Sequence, residues 1–255
     1  MDNDDISIGR ILTRREAITL LGATGAAAFL SACLPRGFSS PTAEDGANGA
    51  GLEEQNTQVV EGCVVRPEMT EGPLFVDNDL NRSDIREDPS NGIVVDGTLL
   101  ELTFNVSELA AAACVPLAGV QVDIWQCDAA GIYSDTDQLG MDTAGQKFLR
   151  GYQVSDASGV VTFKTIYPGW YVQRAVHIHF KMRTENGYEF TSQLFFEDDF
   201  TEDVFKAEPY AQRGSPAILN ADDGIYNSGG NMMMLNPQPT ADGYTASFNI
   251  ALDMA

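Results

Sequence analysis

Two histidines occur in the 255-residue sequence, and a single residue separates them, in His177-Ile178-His179. Side chains alternate between the two faces of a β-strand, so both imidazoles point the same way if this segment is extended. They then lie about 6–7 Å apart along the strand and can converge on one metal ion. The flanking residues 175–182 are apolar and β-branched enough to favour a strand. The pair alone is also compatible with two ordinary strand histidines. The case for a metal site therefore depends on which other side chains could bind the ion.

Two histidines leave a metal site incomplete, and the sequence contains no third imidazole. Thiolates are poor candidates in an exported protein, and the carboxylates are scattered along the chain. Tyr133 and Tyr171 lie at more informative places, because each falls in a predicted loop at the end of a strand. Phenolate is a hard anionic donor that favours a trivalent ion, and tyrosinate is a known ligand of iron. Tyr133 and Tyr171 are therefore the candidates to complete a metal site with the two histidines.

Short predicted strands, separated by turn-forming residues, must position these candidate ligands. Strands are predicted at 98–106, 120–126, 148–155, 160–166, 175–182, 192–196 and 244–250, and a short helix within 201–210. Many short strands of this kind predict a mainly β protein, an antiparallel β-sandwich. The three methionines at 232–234 are predicted to be strand core and not a copper site, because neighbours on a strand point to opposite faces.

Five segments, taken in order, carry a family resemblance over about residues 60–230. They are Pro67-Glu68-x-Thr70-x-Gly72-Pro73, Val122-Asp123-Ile124-Trp125-Gln126-Cys127-Asp128-Ala129-x-Gly131-x-Tyr133, Phe148-Leu149-Arg150-Gly151, Tyr167-Pro168-Gly169-x-Tyr171-x-x-Arg174-x-x-His177-Ile178-His179 and Thr191-Ser192-Gln193-Leu194-Phe195-Phe196. The pattern resembles the intradiol ring-cleavage dioxygenases, the non-haem ferric enzymes that include catechol 1,2- and protocatechuate 3,4-dioxygenases. It looks most like their exported, single-chain branch.

The resemblance implies an oxidoreductase of the intradiol dioxygenase fold, with short helices and long active-site loops. Both atoms of O₂ would enter a catechol-type aromatic, whose ring opens between the hydroxyl-bearing carbons to a cis,cis-muconate-type product. The ligands of Fe(III) would be Tyr133, Tyr171, His177 and His179. Three residues would have catalytic roles: Tyr171 takes up a substrate proton, Arg174 stabilises developing negative charge and Gln193 hydrogen-bonds ring-derived intermediates.

Two other functions compete with this one. The chain could be a non-catalytic β-sandwich binding module on a lipid tether, with a structural or vestigial metal site. It could also be a two-histidine copper or zinc enzyme. The segment Gly72–Phe75 departs from the family, where it lines the substrate pocket and often carries tyrosines, so a more apolar pocket is expected. A substrate carboxylate would need a cation, for which Arg66 is one candidate.

The N-terminus predicts an exported lipoprotein. Arg14 and Arg15 form a twin-arginine pattern, and an apolar stretch too short to span a bilayer follows. Residues 1–32 are therefore predicted to be a signal, with Cys33 lipidated as the first mature residue. Residues 33–58 are predicted to be a flexible tether, and 59–255 the catalytic domain. The domain would work in the periplasm or at the cell surface, with lipid as its one membrane contact.

The charge of the chain is −22, which argues against nucleic acid and anionic surfaces as partners. The expected partners are a small aromatic diol and O₂, and the oligomeric state stays open, with a homodimer among the alternatives. Three cysteines follow Cys33, namely Cys63, Cys114 and Cys127. Two of them can pair in an oxidising compartment, and the sequence leaves all three pairings open.

Overall fold

The computed structural model describes residues 63–110, 113–137, 140 and 142–254. The predicted signal at 1–32, the tether at 33–58 and the lipid on Cys33 lie outside these residues and stay predictions. Within the described ranges, no helix combines the length and the apolar character that a membrane crossing requires.

Strands dominate the described part of the chain, as the sequence predicted. The strands are β1 (Glu87–Asp88), β2 (Ile93–Val94), β3 (Leu99–Ala110), β4 (Ala113–Pro116), β5 (Gln121–Trp125), β6 (Arg150–Val154), β7 (Val160–Ile166), β8 (His177–Arg183), β9 (Glu189–Phe195), β10 (Gln238–Pro239) and β11 (Gly243–Leu252). Between β9 and β10 lie the helix α1 (Asp198–Val204) and the 3₁₀ turns Tyr210–Gln212, Asn220–Asp222, Tyr226–Ser228 and Gly230–Met232. The mainly β fold class is confirmed.

The first large sheet has the order β10-β11-β3-β4, and β7 pairs with the first part of β3. Along β3, Leu100, Leu102, Phe104 and Val106 are buried on one face, as strand alternation requires. One pair differs from the expected antiparallel arrangement, because β11 runs parallel to β3 over ten residue pairs. Parallel neighbours need a long crossover, and most of the domain lies between these two strands.

The second sheet has the order β6-β5-β8-β9 and is antiparallel throughout. The even-numbered residues of β5, β8 and β9 face the first sheet, and the ring of Phe180 lies 5.3 Å from that of Phe104 in the core between them. The odd-numbered residues of β8 point to the opposite face, where His177 and His179 are also buried. An extended segment around Met69 and Thr70 covers this face and bonds to β9. The covered outer face is where the predicted metal ligands lie.

Two local predictions were wrong. The helix begins at Asp198 and ends at Val204, earlier than predicted, and acidic residues in its first turn suit the positive end of a helix dipole. Residues 232–234 do not form a strand: Met232 ends a 3₁₀ turn, Met233 is buried, and Met234 makes a single bridge to Phe195. Gly229, at a φ of 144°, starts that turn and interrupts any strand there.

The structure decides between the three possible cysteine pairings. Cys63 and Cys114 form a disulfide that joins the first described residue to β4 and spans 51 positions of the chain. Cys127 is a buried free thiol, which donates a hydrogen bond to the carbonyl oxygen of Gly169 at 3.3 Å. The disulfide ties the segment that covers the ligand face to the first sheet.

We expect the double variant Cys63→Ala/Cys114→Ala to lose about 4 kcal/mol of unfolding free energy. A cross-link over a loop of this length restricts the unfolded chain by that amount in the chain-entropy description. Urea denaturation of the two proteins measures the loss. Reduced wild-type protein should match the variant, and an unchanged midpoint in both would show that the covering segment is held by packing alone.

Candidate metal centre

The two histidines open β8 and project from the same face, as their spacing predicted. Their Nε2 atoms lie 3.0 Å apart, and both side chains are almost fully buried. His177 Nδ1 is 2.7 Å from the carbonyl oxygen of Ala175, to which it donates its proton. That bond leaves the Nε2 lone pair of His177 free to face the shared point.

Both predicted tyrosines reach the same point from loops. Tyr133 follows β5 after a tight turn in which the Asp128 carboxylate accepts the backbone N–H of Ile132 at 2.8 Å. Its hydroxyl oxygen lies 3.4 Å from His177 Nε2. The ring of Tyr171 lies 5.2 Å from the ring of Tyr133 and 5.7 Å from that of His177. The structure thus brings the four predicted ligands together.

Two glycines allow the tyrosine loops to touch. A Cβ on Gly131, whose φ is +78°, would lie 2.2 Å from the carbonyl oxygen of Trp170. A Cβ on Gly169 would lie 2.4 Å from the carbonyl oxygen of Asp128. Neither distance is possible for another residue without moving backbone, so each loop fixes the path of the other.

Electrostatics keeps both imidazoles neutral. Burial, reinforced by the charge of Arg174, lowers the pKa of His177 to about 3. Burial and the adjacent His177 lower the pKa of His179 well below its ordinary value. Burial raises the pKa of Tyr133 well above its ordinary value and also raises that of Tyr171. The phenols therefore stay protonated unless a strong positive charge arrives at the point they share.

This donor set fits a metal ion. His177 Nε2 lies 3.0 Å from His179 Nε2 and 3.4 Å from the hydroxyl oxygen of Tyr133, and the bond to Ala175 fixes the tautomer of His177. Within the described ranges, no group of three or more His, Cys, Asp and Glu side chains is arranged to hold a metal ion, so the tyrosines are needed to complete this one. A trivalent cation would supply the charge that converts the phenols to phenolates.

Arg174 and Gln193 lie beside the ligands and bond to each other. Arg174 Nη2 donates to Gln193 Oε1 at 2.5 Å, and Gln193 Nε2 donates to the carbonyl oxygen of Thr70 at 2.9 Å. Gln193 is the direct cross-strand partner of His179 in the register of β8 and β9. Arg174 and Gln193, two of the three predicted catalytic residues, are therefore placed against the ligand group, to which the third, Tyr171, belongs.

Sequence reasoning missed Asp223. This buried residue follows the 3₁₀ turn Asn220–Asp222, and its Oδ2 accepts a hydrogen bond from Arg174 Nε at 2.9 Å. Asp223 is one of 37 acids and follows another aspartate, so no local pattern marks it.

Trp125 stacks on His179 with its ring centroid 4.9 Å away and the planes at 8°. Leu74 and Phe75, from the segment that departs from the family, pack in the same cluster. The wall around the ligands is apolar, as expected.

The suggestion that Arg66 meets a substrate carboxylate was wrong. Its guanidinium lies over the ring of Phe248 and donates to the carbonyl oxygens of Asn249 and Met232. Phe248 and Asn249 belong to β11 of the first sheet, whereas the ligand histidines lie on the second. Arg66 is close in sequence to the covering segment, but this closeness did not reveal that its side chain would pack against the first sheet.

Comparisons with known proteins agree on one family. A family model described as a dioxygenase matches residues 69–253. An intradiol ring-cleavage dioxygenase structure from Tetranychus urticae is 31% identical, covers 75% of this chain and 95% of its own, and has a TM-score of 0.67. The dioxygenase domain of a carbohydrate-binding fusion from Streptomyces sp. SirexAA-E is 27% identical, covers 75% and 100%, and has a TM-score of 0.55.

A curated relative, catechol 1,2-dioxygenase 1 of Acinetobacter lwoffii, is 25% identical over 186 residues. The match covers 60% of this chain and 55% of the relative, so the chain spans about half the length of that curated protein. The match supports the family, and the activity of this chain has to be argued from its own site.

Proposed function

Because the chain belongs to the intradiol ring-cleavage dioxygenase family of oxidoreductases, we propose that it uses O₂ to open the ring of a catechol-type substrate. The ring opens between the two hydroxyl-bearing carbons, and the product is a cis,cis-muconate-type diacid. The observation that carries this proposal is the meeting of Tyr133, Tyr171, His177 and His179 at one buried point.

These four residues would hold Fe(III). When bound there, the ferric ion supplies the electron withdrawal that activates a catecholate ring toward O₂. The chain supplies the setting: Ala175 holds the tautomer of His177, and Trp125 holds the ring of His179 by stacking. The covering segment and the two loops exclude bulk water from the buried imidazoles.

The side chains beside the ligands have distinct tasks. As a phenolate, Tyr171 can accept a proton from a substrate hydroxyl and become a neutral phenol, and its place in a loop with only partial burial leaves its oxygen within reach of a substrate. Arg174 places a permanent positive charge beside the reacting ring, with its Nε and Nη2 held by Asp223 and Gln193. A positive charge held in place favours the negative charge that develops on the substrate.

The side chains around the ligands favour catechols that carry apolar substituents or no substituent. Leu74 and Phe75 pack beside the ligands, and Ile132 and Val172, each next to a ligand tyrosine in sequence, are 36% and 61% exposed. Arg66, the cation suggested for a carboxylate, is engaged on the first sheet. A substrate carboxylate would lose water beside these apolar side chains.

Oxygen uptake and product spectra across catechol, 4-methylcatechol, hydroxyquinol and protocatechuate test the proposal. We expect iron-loaded protein to be red-brown and to consume one O₂ per catechol opened. The kcat/KM for catechol should exceed that for protocatechuate by at least about tenfold, the effect of an unpaired carboxylate. A colourless protein that binds zinc would favour the two-histidine alternative. A red protein inert toward every catechol would favour the non-catalytic module.

A further inference from the structure

We propose that Asp223 is a positioning residue for this chemistry, acting through Arg174 without touching the substrate. The inference rests on the proposed function and adds to it a residue far from the ligand motifs in sequence. Asp223 is 1% exposed, and its carboxylate accepts four hydrogen bonds. A buried carboxylate with all of its bonds directed at specific partners is a fixed part of the structure.

The bonds of Asp223 divide between two tasks. Oδ2 accepts from Arg174 Nε at 2.9 Å and from the backbone N–H of Ala175 at 2.8 Å. Oδ1 accepts from the backbone N–H groups of Ile225 and Tyr226, at 2.8 and 3.2 Å. One oxygen therefore faces the ligand strand, and the other secures the loop that carries the carboxylate.

Asp223 fixes the orientation of the Arg174 guanidinium together with Gln193. A guanidinium is planar, so bonds at Nε and at Nη2 set the direction of the whole group. Gln193 is itself held by the carbonyl oxygen of Thr70. Hydrogen bonds thus connect Thr70, Gln193, Arg174 and Asp223 in series. The guanidinium of Arg174 is held on one side by Gln193 and on the other by Asp223.

A second route leads from Asp223 to a ligand. Asp223 binds the N–H of Ala175, and the carbonyl oxygen of the same residue accepts the proton of His177 Nδ1 at 2.7 Å. The loop beyond Asp223 is also anchored, because the ring of Tyr226 packs edge-on against Phe195 at 5.2 Å. The carboxylate therefore joins the 220–226 loop to the start of β8.

The variant Asp223→Asn tests the inference, with Asp222→Asn as its matched control. Asparagine keeps the shape but can turn an acceptor toward only one of the two sets of donors, so Arg174 or the loop loses its partner. We expect kcat to fall about 10–100-fold, as for other groups that orient a reacting residue, with a much smaller change in KM. Asp222 is exposed, and its variant should match the wild type in kcat, KM and visible spectrum.

A double-mutant cycle with Arg174→Met separates positioning from general damage. If Asp223 acts through Arg174, adding Asp223→Asn to Arg174→Met should change kcat by less than about twofold, because the group it orients is already gone and an asparagine Oδ1 can still accept from the N–H of Ala175. The double variant should also melt above Arg174→Met alone, since it removes the buried carboxylate left without its cation. This second readout stands even if Asp223→Asn folds poorly.

Three results would overturn the inference. One is a wild-type kcat in Asp223→Asn, the second is a full additive loss of kcat in the double variant, and the third is a melting temperature of the double variant no higher than that of Arg174→Met. If the wild type itself opens no catechol, the proposed function fails instead, and that outcome is visible before any variant is compared.

Discussion

Replacing Tyr133 with phenylalanine is expected to bleach the visible absorption of the iron-loaded protein and to lower ring cleavage more than about 100-fold. Losing a group that merely orients a metal ligand costs roughly 10–100-fold, and losing a ligand should cost more. The ring of Tyr133 stays to fill its place in the cluster with Leu74, Trp125 and Cys127, so the fold should persist. Bound iron per chain, the visible spectrum and oxygen uptake measure the effect.

The variant His179→Ala removes an imidazole ligand instead of a phenol. It should likewise bleach the visible absorption and lower ring cleavage more than about 100-fold. It removes the nitrogen that lies 3.0 Å from His177 Nε2, and it also removes the stacking partner of Trp125. The main core lies on the opposite face of the second sheet and is untouched. If either variant keeps full activity, the assignment of the ligands is wrong.

The control for Tyr133→Phe is Tyr167→Phe. Tyr167 is just as buried, and its hydroxyl is hydrogen-bonded to Thr201 Oγ1 at 2.7 Å. It packs against Phe196 in the main core and not among the ligands. Its variant should lose about 1 kcal/mol of stability while keeping its colour and activity. Loss of colour in this control would show that the site is sensitive to any buried hydroxyl.

Local pattern was enough to predict the strand and the loops that carry the four candidate ligands. Alternation in an extended chain places His177 and His179 on one face whatever the rest of the fold does. Tyr133 and Tyr171 follow turn signals at strand ends, and the structure places both loops where those signals occur. The order of the motifs along the chain, and their family spacing, then indicated what strand alternation and turn signals could not, namely that the four side chains meet.

Contacts between distant segments were beyond reach of the sequence. Asp223 meets Arg174 across 49 positions, from a loop with no periodic pattern. The Cys63–Cys114 pair was one of three equal alternatives. The parallel pairing of β11 with β3 depends on the path of the whole chain between these two strands. Arg66 was misplaced for the same reason. Each of these contacts is decided by tertiary packing, which residue types alone do not encode.

The variant Arg174→Lys should keep iron and colour and yet lose about 10²–10³-fold in kcat. Lysine retains a positive charge and can still pair with Asp223, but it cannot bond to Asp223 and Gln193 through a rigid planar fork. Removing one preorganised donor from a developing negative charge costs about this much in other enzymes. Steady-state kinetics and the visible spectrum, compared with those of the wild type, measure the two effects separately.

Lysine is a sharper test here than methionine, because the Arg174–Asp223 pair is buried. The side chains are 13% and 1% exposed, so a neutral residue at 174 would leave the carboxylate without its cation and cost about 3–5 kcal/mol in stability. The matched control is Arg183→Lys, since Arg183 ends β8, the strand that begins three residues after Arg174, and pairs with Asp123 and Asp77 away from the ligands. Full kcat in Arg174→Lys would mean that the charge alone suffices, and the fork held by Asp223 and Gln193 would then have no catalytic purpose. A large loss confined to Arg174→Lys would mean that direction matters as much as charge, which is what the bonds at both ends of the guanidinium indicate.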